Sequence, residues 1–135
     1  MTQDFFSGTW KLNPAKSAFD PNHRPTEGVL RFERNPEGYL MTAEGVKENG
    51  ERCVERPQTL ILDGQERPIP DVPGAVAVAI APDPRTIRVS GRMGETTLGE
   101  GSYVVSPDGT TLSATMAGTD AQQRRFQTTT VWDKL

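Results

Sequence analysis

Few side chains here could perform the commoner kinds of catalysis, and each stands alone. His23 is the only histidine, and its setting, Asp20-Pro21-Asn22-His23-Arg24-Pro25, reads as an exposed loop, so a solvated histidine is expected rather than a ligand or base. Cys53, in Glu51-Arg52-Cys53-Val54-Glu55, would be a nucleophile only with a lowered pKa and a base beside it, and reads as a plain strand cysteine. One Cys and one His cannot build a structural zinc site, and the acidic residues are scattered among turns without EF-hand spacing. Gly94 to Gly101 (GETTLGEG) lacks the strand-to-helix setting and the Gly-Lys-Ser/Thr ending of a phosphate-cradling loop. Strand glycines at bulges or close packing points explain it better. The sequence thus predicts no metal, no cofactor and no catalytic residue.

Binding is the chemistry that remains. Phe126, Thr128, Thr130 and Trp132 share one face of an extended segment, because side chains alternate along a strand. Two aromatic rings with two hydroxyls make a mixed wall, apolar area plus hydrogen-bonding groups, as small-molecule sites use. Tyr39 and Met41 on one segment, and Tyr103 on another, extend the set; the alternative is that all of these simply fill a core. Arg88 and Arg92 share a face with Ser90 between them and Ile87 and Val89 opposite. Inward arginines would need an anion to meet them, but Ile87 and Val89 are the better core pair, so the arginines are assigned to the surface.

Turn chemistry positions these residues. Asn35-Pro36-Glu37-Gly38, Asn49-Gly50, Asp63-Gly64, Pro82-Asp83-Pro84, Met93-Gly94 and Ser106-Pro107-Asp108-Gly109 punctuate the chain at the spacing of strands joined by tight turns. Between them, segments rich in β-branched and aromatic residues lie at about 29–34, 39–48, 51–62, 75–81, 86–92, 96–105, 110–117 and 125–133. A first strand at about 5–12 and a short one near 66–70 bring the expected count to nine or ten. Several alternate apolar with polar, giving one buried and one wetted face. The only helical signal is one turn from Pro14 to Phe19, with Asn13 as N-cap and Pro14 in the first helical position.

With 135 residues the chain is sized for one domain, and residues 1–135 are read as one. The 15 Lys and Arg are interspersed among 18 Asp and Glu for a net charge of −3, which leaves no basic stripe for nucleic acid. The longest apolar run, Ala75 to Ala81, falls far short of the roughly 20 residues a membrane helix needs. No signal peptide is visible after Met1, and the single cysteine fits a reducing compartment, so a cytoplasmic location is the expectation, with export open if a leader was trimmed. Oligomeric state is not legible.

An antiparallel chain of this many strands protects its edges by closing into a barrel or stacking as a sandwich, and the pattern alone prefers neither. Gly8-Thr9-Trp10-Lys11-Leu12-Asn13-Pro14-Ala15-Lys16-Ser17 resembles the first strand of the calycin superfamily, the lipocalins and fatty-acid-binding proteins. With the late hairpin Val105-Ser106-Pro107-Asp108-Gly109-Thr110-Thr111-Leu112 it is more similar still to small bacterial lipocalin-like proteins of unassigned role. The resemblance implies an all-β, up-and-down antiparallel barrel of about 8–10 strands, with Trp10 plugging its closed end. The ending Thr129-Thr130-Val131-Trp132 looks like the last strand of fatty-acid-binding proteins, which would turn Trp132, and with it Phe126, Thr128 and Thr130, toward the interior. Thr130 stands where those proteins carry an arginine, and residues 13–26 hold three prolines in place of a helical lid. Both departures argue against a fatty-acid carrier of that type.

The function expected is therefore non-catalytic binding of a small hydrophobic or amphipathic ligand in the barrel. The alternatives are an isomerase or cyclase that works by confinement, with Tyr or carboxylates as acid and base, and a solid barrel acting through its outer face.

Overall fold

The computed structural model describes residues 4–18, 25–47, 49–54, 57–69, 72–119 and 125–135. Eleven strands run in chain order: β1 (Gly8–Leu12), β2 (Pro25–Asn35), β3 (Gly38–Lys47), β4 (Arg52–Val54), β5 (Gln58–Ile61), β6 (Arg67–Pro68), β7 (Ala75–Asp83), β8 (Thr86–Met93), β9 (Thr96–Val105), β10 (Thr111–Thr119) and β11 (Arg125–Lys134). They form one sheet in the order β4-β3-β2-β1-β11-β10-β9-β8-β7-β6, with β5 also on β3. Every neighbouring pair is antiparallel, so the architecture is up-and-down, and β1 joins β11 to make the two chain ends the middle of the sheet.

The turns follow from local chemistry. Asn35 Oδ1 accepts from the N–H groups of Glu37 and Gly38 at 3.0 and 2.8 Å, folding β2 back on β3. Asp108 accepts from Ser106 Oγ, Thr110 N and Thr110 Oγ1 while Gly109 takes φ +75°, which closes the β9–β10 hairpin. These donors hold the Asp108 carboxyl down to about 2.

Differences from the expected elements have identifiable causes. The strand expected at 5–12 begins only at Gly8, because Asp4 Oδ1 accepts from Phe6 N and Ser7 N and turns the chain first. The strand expected at 51–62 is two, β4 and β5, both on β3; Pro57, between them, has no N–H to give a ladder. The helical turn is a 3-10 turn, Pro14–Lys16, capped by Asn13 Oδ1 on Lys16 N at 3.3 Å. It makes a short excursion between two contacts with β11, Asn13 N to Val131 O at 2.7 Å and Ala18 N to Thr129 O at 2.7 Å. Phe19 and the His23 loop lie outside the described residues. Among the described residues no helix is long and apolar enough to cross a membrane.

The sheet curls into a barrel whose ladder does not fully close between β5 and β7. There the chain after β5 passes along β7, with Gly64 N donating to Ala79 O at 3.1 Å before β6 pairs with Val76 and Ala77. The core occupies the end at which β2 turns into β3, β7 into β8 and β9 into β10. Trp10 is 0% exposed, its Nε1 donates to Phe6 O at 2.9 Å, and Lys134 Nζ stands 5.3 Å over its ring. In the same cluster Tyr39 packs edge to face on Phe6 and Phe32, Phe32 edge to face on Tyr103 and tilted on Phe6, with Ile87, Val105 and Leu112 completing it.

Candidate functional site

Strand registers decide which residues face the interior. Leu112 pairs with Trp132, Ala114 with Thr130, Met116 with Thr128 and Gly118 with Phe126. Since Leu112 and Ala114 are buried in the core, the whole expected quartet on β11 points inward, the side the sequence assigned to it. Tyr39 and Met41 share the inner face of β3 with Ala43, and Tyr103 that of β9.

Inwardness does not make one wall, however. Tyr39, Met41 and Tyr103 are buried in the packed end and belong to the core. Phe126, Thr128, Thr130 and Trp132 are only partly buried: Trp132 and Thr130 stand beside Leu112 and Ala114 of the core, and Thr128 and Phe126 lie farther along, beside Met116 and Gly118. The expected set of seven divides between these two zones because alternation fixes the face of a side chain but not its height along the barrel.

The Tyr39 hydroxyl is engaged. It donates to Asp4 Oδ1 at 2.7 Å, while Arg34 Nη1 reaches it at 3.5 Å and stacks its guanidinium 5.6 Å from the ring centre. Burial, then the hydrogen bond to the Asp4 carboxylate and its charge, push the phenol up to about 12, against a smaller opposing pull from Arg34. Burial also pulls the Asp4 carboxyl up, but the surrounding donors, Ser7, Tyr39 and Phe6 N, outweigh it and leave the group below its ordinary value. The Ser7 hydroxyl adds to this as a nearby dipole, since its oxygen lacks a hydrogen bond of good geometry.

In the far half the inner face is unusual in its small residues. Gly28 and Gly45 oppose each other on β2 and β3. Gly91, Gly99 and Gly118 form a continuous cross-strand row on β8, β9 and β10, and Gly101 opposes Met116. Large side chains lie flat over some of them: the Trp132 ring tip would be 3.1 Å from a Cβ on Gly28, and Phe126 Cε1 3.4 Å from one on Gly118. Above Gly99 such a Cβ would meet only the backbone of β10. The inward Ala43, Val89, Met116 and Trp132 pack against the edge of the buried core and, like Thr128 and Thr130, are only partly buried, so this half of the interior is less completely enclosed than the other. Trp132 Nε1 donates to Thr130 Oγ1 at 2.8 Å, and Thr130 Oγ1 to Ala114 O at 3.3 Å, which fixes the indole.

Sequence reading explained Gly99 and Gly101 as strand glycines but did not place them in the chamber. Their spacing, Gly99-Glu100-Gly101, is the signal available, since it empties two successive inward positions. A depression of about 470 Å³ is bordered by outward-facing residues of β7 to β10, among them Val78, Ile80, Arg88 and Ser102, and is also lined by Val89 and Gly101 of the inner face. The outward residues on β7, β8 and β9 pair with one another and alternate with the buried Ala79, Ile87 and Tyr103. Arg88 and Arg92 are exposed, as expected. Among the described residues no three potential metal-ligating side chains come together.

The fold is that of the fatty-acid-binding-protein-like β-barrels. Zebrafish ileal bile acid-binding protein, solved with cholic acid, superposes with a TM-score of 0.59 at 14% identity, covering 98% of this chain and 100% of that one. As-p18, an extracellular fatty acid binding protein, superposes with a TM-score of 0.56 at 14% identity over 100% of both chains. At such identity the likeness establishes the architecture alone. No protein-family model matches the chain, and no curated protein matches its sequence.

Proposed function

We propose that this protein binds a small, partly apolar molecule in the open half of its barrel, without catalysing a reaction on it. The observation that carries this reading is the contrast inside one interior: Trp10, Ile87 and Leu112 are 0% exposed, whereas Trp132, Met116, Thr128 and Val89 on the same inner face are accessible. An aromatic face, a thioether and a threonine hydroxyl around glycine-floored space suit a ligand of mixed polarity. That one structural neighbour is described as binding bile acid and the other fatty acid supports the reading.

The test is a titration with an uncharged fluorescent probe such as phenylnaphthylamine. Saturable binding of about one probe per chain is expected, weakened about tenfold by Trp132→Leu and unchanged by Ile80→Ser on the outer depression. Binding that Ile80→Ser abolishes and Trp132→Leu spares would move the site to the outer face and end the proposal.

A further inference from the structure

The outer wall of the barrel changes character from one side to the other. On β1 to β3 its exposed positions include Lys11, Arg31, Glu33 and Glu44, charges spread along a wetted wall. On β7 to β10 the outward positions are mostly small or apolar, among them Ile80, Ser90, Ser102, Val104, Thr115 and Ala117. Ile80 is 39% exposed and Val104 42%, so this wall shows bare aliphatic surface to water. Strands β8, β9 and β10 are each paired along both edges, which leaves only side chains for a partner to meet.

Arg88 and Glu100 stand in the middle of this patch. Arg88 pairs with Ser102 and Ser90 with Glu100, so the four residues form a rectangle with the two charges on one diagonal and the two serines on the other. Diagonal neighbours across an antiparallel pair lie about 7–8 Å apart, within reach of long side chains. Yet among the described residues the side chains of Arg88 and Glu100 form no ion pair and no hydrogen bond, whereas Lys47, Arg52, Arg67 and Arg92 each have a carboxylate.

We propose that this wall is the docking face for a second copy of the same chain, across a two-fold axis that lies in the interface and is perpendicular to the Arg88–Glu100 diagonal. Such an axis exchanges the ends of the diagonal, so Arg88 of each copy meets Glu100 of the other and the contact is made twice. Ser90 and Ser102 stand near the axis and meet their own counterparts, and their short side chains let the two sheets approach. The same operation lays Val104 of each copy beside the small Thr115 and Ala117 of the other. Four strands by three outward positions make a patch of roughly 19 by 20 Å, near 400 Å² per copy and at the lower end of specific interfaces. The dimer is accordingly weak, with a Kd of about 10–100 μM expected. Outward positions alone carry this inference, which does not rest on the binding reading above.

The experiment is sedimentation velocity from about 5 to 500 μM chain, in reductant so that Cys53 cannot join two chains. It compares the wild type, Arg88→Glu, Glu100→Arg and an equal mixture of the two variants. The wild type is expected to pass from monomer to dimer over this range. Each variant alone should dimerise at least about tenfold more weakly, because its copies meet through two like-charge contacts. The mixture should regain the dimer, because a mixed pair again sets opposite charges against each other at both contacts. Misfolding cannot produce that rescue, and neither can an ion pair within one chain, which both variants lack. A wild type that stays monomeric at the highest concentration overturns the proposal and leaves the wall to a different partner. Variants that dimerise as the wild type does, or a mixture that stays monomeric, overturn it equally.

Discussion

The two halves of this barrel are built from the same strands with the same alternation, yet they are furnished oppositely. In the closed half each inward position carries a large side chain that meets others from across the sheet: Trp10 on Phe6, Phe32 on Tyr39 and Tyr103, Leu112 under them. In the open half many inward positions are glycine or alanine, and the few large residues lie flat along the wall instead of meeting in the middle. Packing that fills a volume supports the fold, whereas packing that lines a wall leaves space, so the proposed binding would draw on a different end of the sheet from the one that carries stability.

The largest effect expected from this division is at the tryptophans. Trp10→Ala should cost about 3–5 kcal/mol, because it empties the filled end and strands the Phe6 carbonyl. Trp132→Ala, at a partly buried position, should cost roughly 1–2 kcal/mol. Urea unfolding followed by circular dichroism gives both numbers, and equal losses would erase the distinction between the halves.

Two glycines sharpen the comparison. A Cβ on Gly38, in the closed half, would overlap the Leu60 carbonyl oxygen, a backbone atom that cannot step aside. Gly38→Ala should cost about 1–3 kcal/mol or more. A Cβ on Gly101, in the open half, would run into Met116 Sδ, near the far end of a flexible thioether chain, and come within 3.1 Å of the Thr115 carbonyl oxygen. Gly101→Ala should cost under about 1 kcal/mol. A Gly101 variant as damaged as the Gly38 variant would mean that the open half is packed after all.

The smallest effect concerns pH and belongs to the closed half alone. Tyr39 is raised from 10.0 to about 12 in the folded chain, and a phenol is neutral when protonated. Its contribution to stability is therefore intact below the unfolded value and lost as pH climbs from 10.0 to about 12. Asp4 works at the other extreme: its lowered value gives stability that disappears as pH falls through the folded value. Denaturant midpoints measured across alkaline pH should drop in that window for the wild type and stay flatter for Tyr39→Phe. An unchanged slope in the variant would show that the Tyr39–Asp4 contact does not control the alkaline limb.

Much of this architecture is written locally. Tight-turn residues such as Asn35 and Asp108 fold their hairpins through their own side chains, and Asn13-Pro14 caps the one helical turn, so these features were legible without tertiary contacts. Alternation likewise assigned Phe126, Thr128, Thr130 and Trp132 to one face, and put Ile87 inside with Arg88 outside. Two local readings went astray where a competing short-range interaction intervened, Asp4 delaying β1 and Pro57 lying between β4 and β5. Only the folded barrel decided which inward residues meet and which face space. Tyr39, Met41 and Tyr103 joined the core, and the glycine row came together from three separate strands. The reason is geometric: the period of a strand encodes which side a residue faces, while its height and its neighbour across the barrel are set by registers between segments far apart in the chain.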